Sequence, residues 1–259
     1  MEQLGKVKKI KALERGVKIV LLLAKNGSSL SPKEISQCLS LPISTVYRYI
    51  ETLKSLELLE ETAKGYKLGL KVLELAESVR RNLDYVAIAR PIMAELSMKT
   101  EETVVLAALQ GDFAVWIDKI NSQHLLRISC TPGKRQFLHA GASAKVIMAY
   151  LSESRQKEVI RRVGMPRFTD KTITDWEQLR LQLEQIRLEG IAISSGEVDP
   201  GVKAVAAPLF KENGEIWGSL SVVGPEQRLI GKQLELVIRE VKNATNRLNT
   251  QIKVCGIEE

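Results

Sequence analysis

From residue 10 onward, apolar side chains recur at spacings of three and four. Ile10, Leu13, Val17, Val20, Leu21 and Ala24 mark one face of an amphipathic helix. Asn26-Gly27-Ser28-Ser29 supplies the turn residues that stop it. Ser31-Pro32 then opens a second, short helix, with a hydroxyl at the N-cap, proline at the first helical position and Glu34 placed to close a capping box. Ser40-Leu41-Pro42 ends it, and a third helix, with Ser44 near its start, runs to about Leu58. Residues 58–68 read as two short strands around a turn at Ala63-Lys64-Gly65. Leu70, Leu73, Leu75, Ala76, Val79 and Leu83 give a broad apolar stripe, so 70–83 is predicted as a stiff linking helix, with Glu77 and Arg81 one turn apart on its polar side.

After Pro91 the pattern changes. A helix ends near Lys99, and strand-like runs follow at 103–110, 113–120 and 125–130. Helical spacing returns at 142–151, 154–163 and 175–189, then strands at 191–194, 202–210 and 216–223. The last two flank Asn213-Gly214, a strong hairpin signal, and a final amphipathic helix is expected over 225–252. Strands interleaved with helices in this way predict an α+β or α/β domain with a mostly antiparallel sheet. The expected division is 1–68, a linker over 69–86, and 87–259.

Composition narrows the classes. The chain has 259 residues, more than a single ordinary domain of roughly 100–150 requires. Its hydrophobic content is 44% and its mean hydropathy −0.06, as in a folded soluble protein. No run approaches the ~18 apolar residues of a membrane span, and the first residues lack the apolar core of a signal peptide. Three scattered cysteines, Cys38, Cys130 and Cys255, have no C-x-x-C spacing and cannot all pair. A disulfide scaffold and a zinc ribbon are excluded, and a reducing, cytoplasmic setting is expected. The net charge of +7 is uneven: residues 1–85 hold 15 basic and 10 acidic side chains, residues 86–259 hold 23 and 21. An excess in the first third suits a module that binds a polyanion.

Helix, short helix, turn, longer helix and small hairpin is the order of a winged helix-turn-helix. At 100° per residue Val46, Ile50 and Leu53 fall on one side of the third helix, with Tyr49 at its edge as a packing residue. Ser44, Thr45, Tyr47, Arg48, Glu51, Thr52 and Ser55 take the other side, rich in hydroxyls and poor in negative charge. Arg48 has the fork that grips guanine O6/N7 or a phosphate, and Ser44 and Thr45 stand at the end that enters a major groove. Tyr47 and Thr52 share that side, while Lys33, Lys64 and Lys67 are placed to hold the sugar-phosphate backbone. Double-stranded operator DNA is the expected partner.

A catalytic reading finds little support. The chain has no G-x-S-x-G, H-E-x-x-H, G-x-x-x-x-G-K-[ST] or G-x-G-x-x-G motif. Its two histidines, His124 and His139, lie on different elements, and Ser143 with His139 and an aspartate makes a triad only on paper. His139 reads instead as a hydrogen-bonding residue ahead of a helix. No cofactor and no metal are expected.

The segment Ser31-Pro32-Lys33-Glu34-Ile35 and the run Leu41-Pro42-Ile43-Ser44-Thr45-Val46-Tyr47-Arg48-Tyr49-Ile50-Glu51-Thr52-Leu53 resemble the DNA-binding domain of the IclR family of bacterial transcriptional regulators. Leu138-His139-Ala140-Gly141-Ala142-Ser143-Ala144-Lys145-Val146 is similar to a second family block, and the stretch from Glu189 to Pro225 to a third. The resemblance covers residues 10–250. It implies a winged helix-turn-helix joined by a linker helix to a GAF-like effector-binding domain, assembled as a homodimer or a dimer of dimers, with a small organic acid as effector. The pocket positions it implies are Ala142, Ser143, Ser194, Val202, Ala204, Ser219, Ser221 and Val223. Of these the serines offer hydroxyls, and Val202 and Val223, with Met148, offer apolar wall. Small residues at 141–144, at a helix N-terminus, would let a carboxylate approach free N–H groups. The chain departs from the family at Gly141, Ala144 and Ser194-Ser195, so its pocket polarity is its own. Trp116, Trp176 and Trp217 read as core or dimer-interface residues. The rival readings are an enzyme of small carboxylates with an appended DNA-binding head, and a sequence-indifferent DNA-packaging protein.

Overall fold

The computed structural model describes residues 10–81, 84–125, 128 and 130–255. The chain divides into two compact units, Met1–Asn82 and Leu83–Glu259.

In the first unit α1 (Lys11–Asn26), α2 (Pro32–Leu39) and α3 (Ile43–Ser55) precede a hairpin of β1 (Leu59–Thr62) and β2 (Gly65–Leu68), followed by α4 (Lys71–Arg81). The capping box at α2 forms. Glu34 N–H donates to Ser31 Oγ at 3.3 Å, while Ser31 N–H donates to Glu34 Oε2 at 2.7 Å. One core joins the elements through Ile19, Leu23, Leu30, Ile35, Val46, Ile50, Leu53, Leu59 and Tyr66. Leu30 and Tyr66 exchange backbone hydrogen bonds of 2.9 and 2.8 Å, which adds a third segment to the hairpin. Gly65 is required there: a Cβ would stand 2.3 Å from Leu30 O, and its φ is +133°.

α1 corrects the sequence reading. Its buried residues are Ile19 and Leu23, whereas Ile10, Leu13, Val17 and Leu21 of the predicted stripe stand in solvent. The helix is apolar on more than one side, with Leu21, Leu22 and Leu23 consecutive, so periodicity alone does not choose the face that packs. On α4 too, Leu73 and Leu75 are exposed, as is Leu70 just before it. Leu83 of that predicted stripe lies outside the described residues, as do the side chains of Glu77, Val79 and Arg81.

The second unit opens with α5 (Asp84–Thr100) and the hairpin β3 (Thr103–Gln110) and β4 (Phe113–Ile120), then β5 (Arg135–Phe137). α6 (Ala142–Ala149), α7 (Glu153–Val163) and α8 (Trp176–Glu189) follow. β6 (Ala192–Ser195), β7 (Val202–Phe210), β8 (Ile216–Pro225) and α9 (Gly231–Cys255) complete it. The six strands form one antiparallel sheet in the order β5-β4-β3-β8-β7-β6. One face carries Val104, Leu106, Val205, Ala207, Leu209, Leu220 and Val222 against α5 and α9. The other carries small residues, among them Ala114, Ala192 and Ala206, which let α6 pack closely.

Two elements differ from expectation. Residues 125, 128 and 130 of the predicted strand are not in a strand, and 126, 127 and 129 lie outside the described residues. Pairing with β4 is made instead by Arg135–Phe137, beyond the Thr131-Pro132-Gly133 turn. β8 extends through Pro225, which as an edge-tolerant terminal residue ends the strand, so α9 begins at 231 rather than 225.

Candidate functional site

Two regions carry site geometry, one in each unit. α3 turns Val46, Ile50 and Leu53 into the core and leaves Ser44, Tyr47, Arg48, Glu51 and Thr52 exposed. Thr45 and Tyr49 are half-buried, Tyr49 against Gly16 of α1. The helix has no side-chain cap: Pro42 occupies the N-cap, so the Ser44 hydroxyl is not spent on capping. Ser40, held at φ 51°, and the Leu41 N–H, donated to Ser36 O at 3.1 Å, set the turn between α2 and α3. Thr52 Oγ1 donates back to Arg48 O at 3.0 Å. Lys33 and Lys64 are exposed, and Lys67 is exposed but lies 3.3 Å from Glu60. Lys54 pairs with Glu61 at 2.7 Å, which offsets the acidic β1. The hydrogen bond that Lys54 donates to Glu61 raises the Lys54 pKa.

In the second unit a small cavity of about 40 Å³, partly open to solvent, lies where the N-terminus of α6 meets the sheet. Six of the positions named from the resemblance, Ala142, Ser143, Ser194, Val202, Ala204 and Val223, line it. Register explains the grouping: Ser194 faces Ala204, and Ala204 faces Val223, so all three share one side of the sheet.

Ser219 and Ser221 do not reach the cavity. Both are fully buried, with hydroxyls committed to bracing α6: Ser219 Oγ donates to Ser143 O at 2.9 Å, and Ser221 Oγ accepts from Ser143 Oγ at 2.9 Å. Ser221 in turn donates to Val105 O at 3.3 Å. Met148 is likewise buried in the core beneath α6. The expected free helix N-terminus is half spent: Gly141 N–H donates to Glu197 Oε2 at 3.1 Å and Ala142 N–H to Ser194 Oγ at 3.0 Å. The N–H groups of Ser143 and Ala144 have no partner within the described residues.

Sequence reasoning missed Trp116, Gln136, Glu197, Val198 and Asp199, which also line the cavity. Glu197 stands within the third block of resemblance and is the most informative omission. It accepts from Lys145 Nζ at 2.5 Å, and Lys145, with no exposed surface, also donates to Gln182 Oε1 at 2.7 Å. Burial lowers the Lys145 pKa, and the Glu197 charge opposes that shift. His139 is buried, with Nε2–H donated to Pro166 O at 3.0 Å and its ring stacked on Phe168; burial pushes its pKa down. Cys130 lies beside Trp116 and Val223, and burial lifts its thiol to about 11, far from reactive thiolate. Among the described residues no group of three or more His, Cys, Asp or Glu is placed to hold a metal ion.

Residues 77–250 match the family model described as bacterial transcriptional regulator IclR C-terminal, and residues 12–63 match the IclR helix-turn-helix domain. The chain is 33% identical over 221 residues to the HTH-type transcriptional regulator KdgR of Escherichia coli K12, covering 85% of this chain and 84% of that protein. It is 30% identical over 220 residues to the transcriptional repressor AllR of the same organism, covering 84% and 81%. Among solved structures, the Thermotoga maritima IclR superposes with a TM-score of 0.79 at 26% identity, over 95% of this chain and 100% of that one. An IclR homolog from Microbacterium hydrocarbonoxydans, complexed with 4-hydroxybenzoate, shares the fold with a TM-score of 0.83 at 22% identity, over 94% and 99%. Matched by both family models and by curated relatives along most of its length, the chain belongs to the IclR family of bacterial transcriptional regulators.

Proposed function

We propose that this regulator reads its operator with the outward side of α3 and that a small organic acid, bound at the start of α6, sets its affinity for that operator. The observation that carries the DNA half is the division of α3 between a buried apolar side and an exposed side holding Ser44, Tyr47 and Arg48. On this reading Arg48, Tyr47, Ser44 and Thr45 face base edges and nearby phosphates, and Thr52 with Lys33, Lys64 and Lys67 follows the backbone. Lys67 must release Glu60 to do so, an exposed pair that costs little to open.

The effector half rests on the cavity lined by Ala142, Ser143, Ser194, Val202, Ala204 and Val223, with two unclaimed N–H groups in the first turn of α6. Mostly apolar walls and a few aimed donors suit a small carboxylate. The aromatic acid bound by the Microbacterium homolog supports that ligand class. Two copies are expected to pair through the exposed apolar side of α1 at Leu13, Val17 and Leu21, which otherwise leaves a row of large apolar side chains in water. Operator binding in turn favours a cytoplasmic location; among the described residues no helix is long and apolar enough to cross a membrane.

Fluorescence anisotropy with a duplex from the promoter beside its own gene tests the reading. An effective acid should change operator affinity by roughly 5–150-fold. Equal affinity for a random duplex, or indifference to every small acid, overturns it.

A further inference from the structure

α6 ends on a second cavity, of about 120 Å³, three times the size of the one at its start. It lies wholly within the second unit, where the C-terminus of α6, the N-terminus of α7 and one side of α8 meet. Ala149, Leu151 and Leu183 form an apolar floor, and Glu153, Arg180, Glu184 and Arg187 stand around it. A single water needs about 10–15 Å³ of such space, so a molecule of several heavy atoms fits.

Gln156 of α7 lines the same cavity and is more than nine-tenths buried, at 7% exposure. Its NH2 group is fully committed, donating to Met148 O at 2.8 Å and to Leu151 O at 3.1 Å. That fixes the orientation of the amide. Oε1 is left with no donor among the described residues, and it opens on the cavity. A buried acceptor is normally met by a donor. The charges around it are unequally matched. Arg180 is held by Glu177 at 3.0 Å and Glu184 at 2.5 Å, and Glu153 by Lys157 at 2.5 Å. Arg187 has no carboxylate partner among the described residues; its guanidinium lies against the Tyr150 ring, 5.8 Å from the centroid.

An unpaired guanidinium asks for an anionic group, and a lone amide oxygen asks for a donor. A plain acid would meet the first and leave the second unmet. A plain amine would leave Arg187 unmet. We infer that this cavity binds a small zwitterion, a free amino acid, with its carboxylate on Arg187 and its ammonium group on Gln156 Oε1. The carboxylates of Glu153 and Glu184 on the rim favour a cationic donor over a neutral one. Ala149, Leu151 and Leu183 cover its short apolar body. The site is separate from the cavity at the start of α6 and does not depend on what that cavity takes.

The test is isothermal titration of the full-length protein with alanine, β-alanine and 4-aminobutanoate. At least one should bind with a Kd of about 1 mM or tighter. Arg187→Gln should weaken that binding by about tenfold or more. Arg187→Lys, which keeps the charge, should weaken it less and guards against misfolding of the first variant. The counterparts that lack one charge, such as propionate and ethylamine for alanine, should bind this site at least about tenfold more weakly. Heat from the acid that survives Arg187→Gln belongs to the other cavity. If none of the three amino acids binds, Gln156 Oε1 is met by water alone and the inference is overturned. It is overturned equally if Arg187→Gln leaves their affinity unchanged, or if the acid or the amine binds this site as tightly as the zwitterion.

Discussion

Ser44, Thr45 and Tyr47 open α3, and Ser143 with Ser219 and Ser221 surrounds the start of α6, yet the two sets of hydroxyls meet opposite fates. Those of α3 lie on the outside of a small unit whose core needs only Val46, Ile50 and Leu53 from that helix. Those around α6 are buried and interlocked between α6 and β8, bonding Ser143 to Ser221 and Ser219 to the Ser143 carbonyl. A hydroxyl becomes available for recognition when no second element covers it. It becomes a brace when a sheet does, because an unpaired hydroxyl in that setting would cost about 1–3 kcal/mol. The first unit therefore presents chemistry on its surface, while the second keeps a few donors free at the edge of an otherwise satisfied network.

The sharpest way to break this contrast is through Lys145. Lys145→Ala leaves Glu197 beside the cavity without its cation and should destabilise the effector unit by about 3–5 kcal/mol, read as a lower urea midpoint. A loss under about 1 kcal/mol would mean that the network is looser than its distances imply. Operator recognition should be less sensitive to packing and more to single contacts. Arg48→Ala is expected to cost about 1–3 kcal/mol in operator affinity and leave the melting temperature unchanged; an unaltered binding isotherm removes Arg48 from the interface. Ser31→Ala removes the α2 capping box and should cost about 1 kcal/mol in the DNA-binding unit alone, visible as earlier hydrogen exchange in α2.

The smallest effect concerns pH. Burial lowers the His139 pKa below its ordinary 6.5, so between that value and the lowered one the unfolded chain binds more protons than the folded one. Stability should accordingly fall as pH drops below about 6.5, and His139→Gln should flatten that slope in chemical denaturation at several pH values. A slope that survives the substitution assigns it to other groups.

Legibility in the sequence followed the range of the interactions. The capping box at Ser31 and Glu34 was readable because both partners lie within one turn. The exposed side of α3 was readable because three apolar residues define its buried side without help from elsewhere. α1 defeated the same test: its apolar residues occupy several sides, and packing against α2 and α3 chose Ile19 and Leu23. Around α6, six of the eight residues carried over from the resemblance line the cavity, yet nothing local distinguished Ser194, which does, from Ser219 and Ser221, which do not. Gln136 and Trp116 are twenty residues apart on separate strands, and neither type at that spacing is a signal.

By itself the sequence determined the order of elements, the winged helix-turn-helix, the second α+β unit and the family. Each of these is written in periodicity, caps, turns and contiguous motifs, which act over a few residues. The tertiary structure alone decided which hydroxyls are spent, that Glu197 closes over Lys145 and the first N–H of α6, and that Trp116 holds the Gln136 oxygen. Those outcomes depend on strands distant in sequence reaching the same helix end, where burial makes every donor find a partner or wait for a ligand.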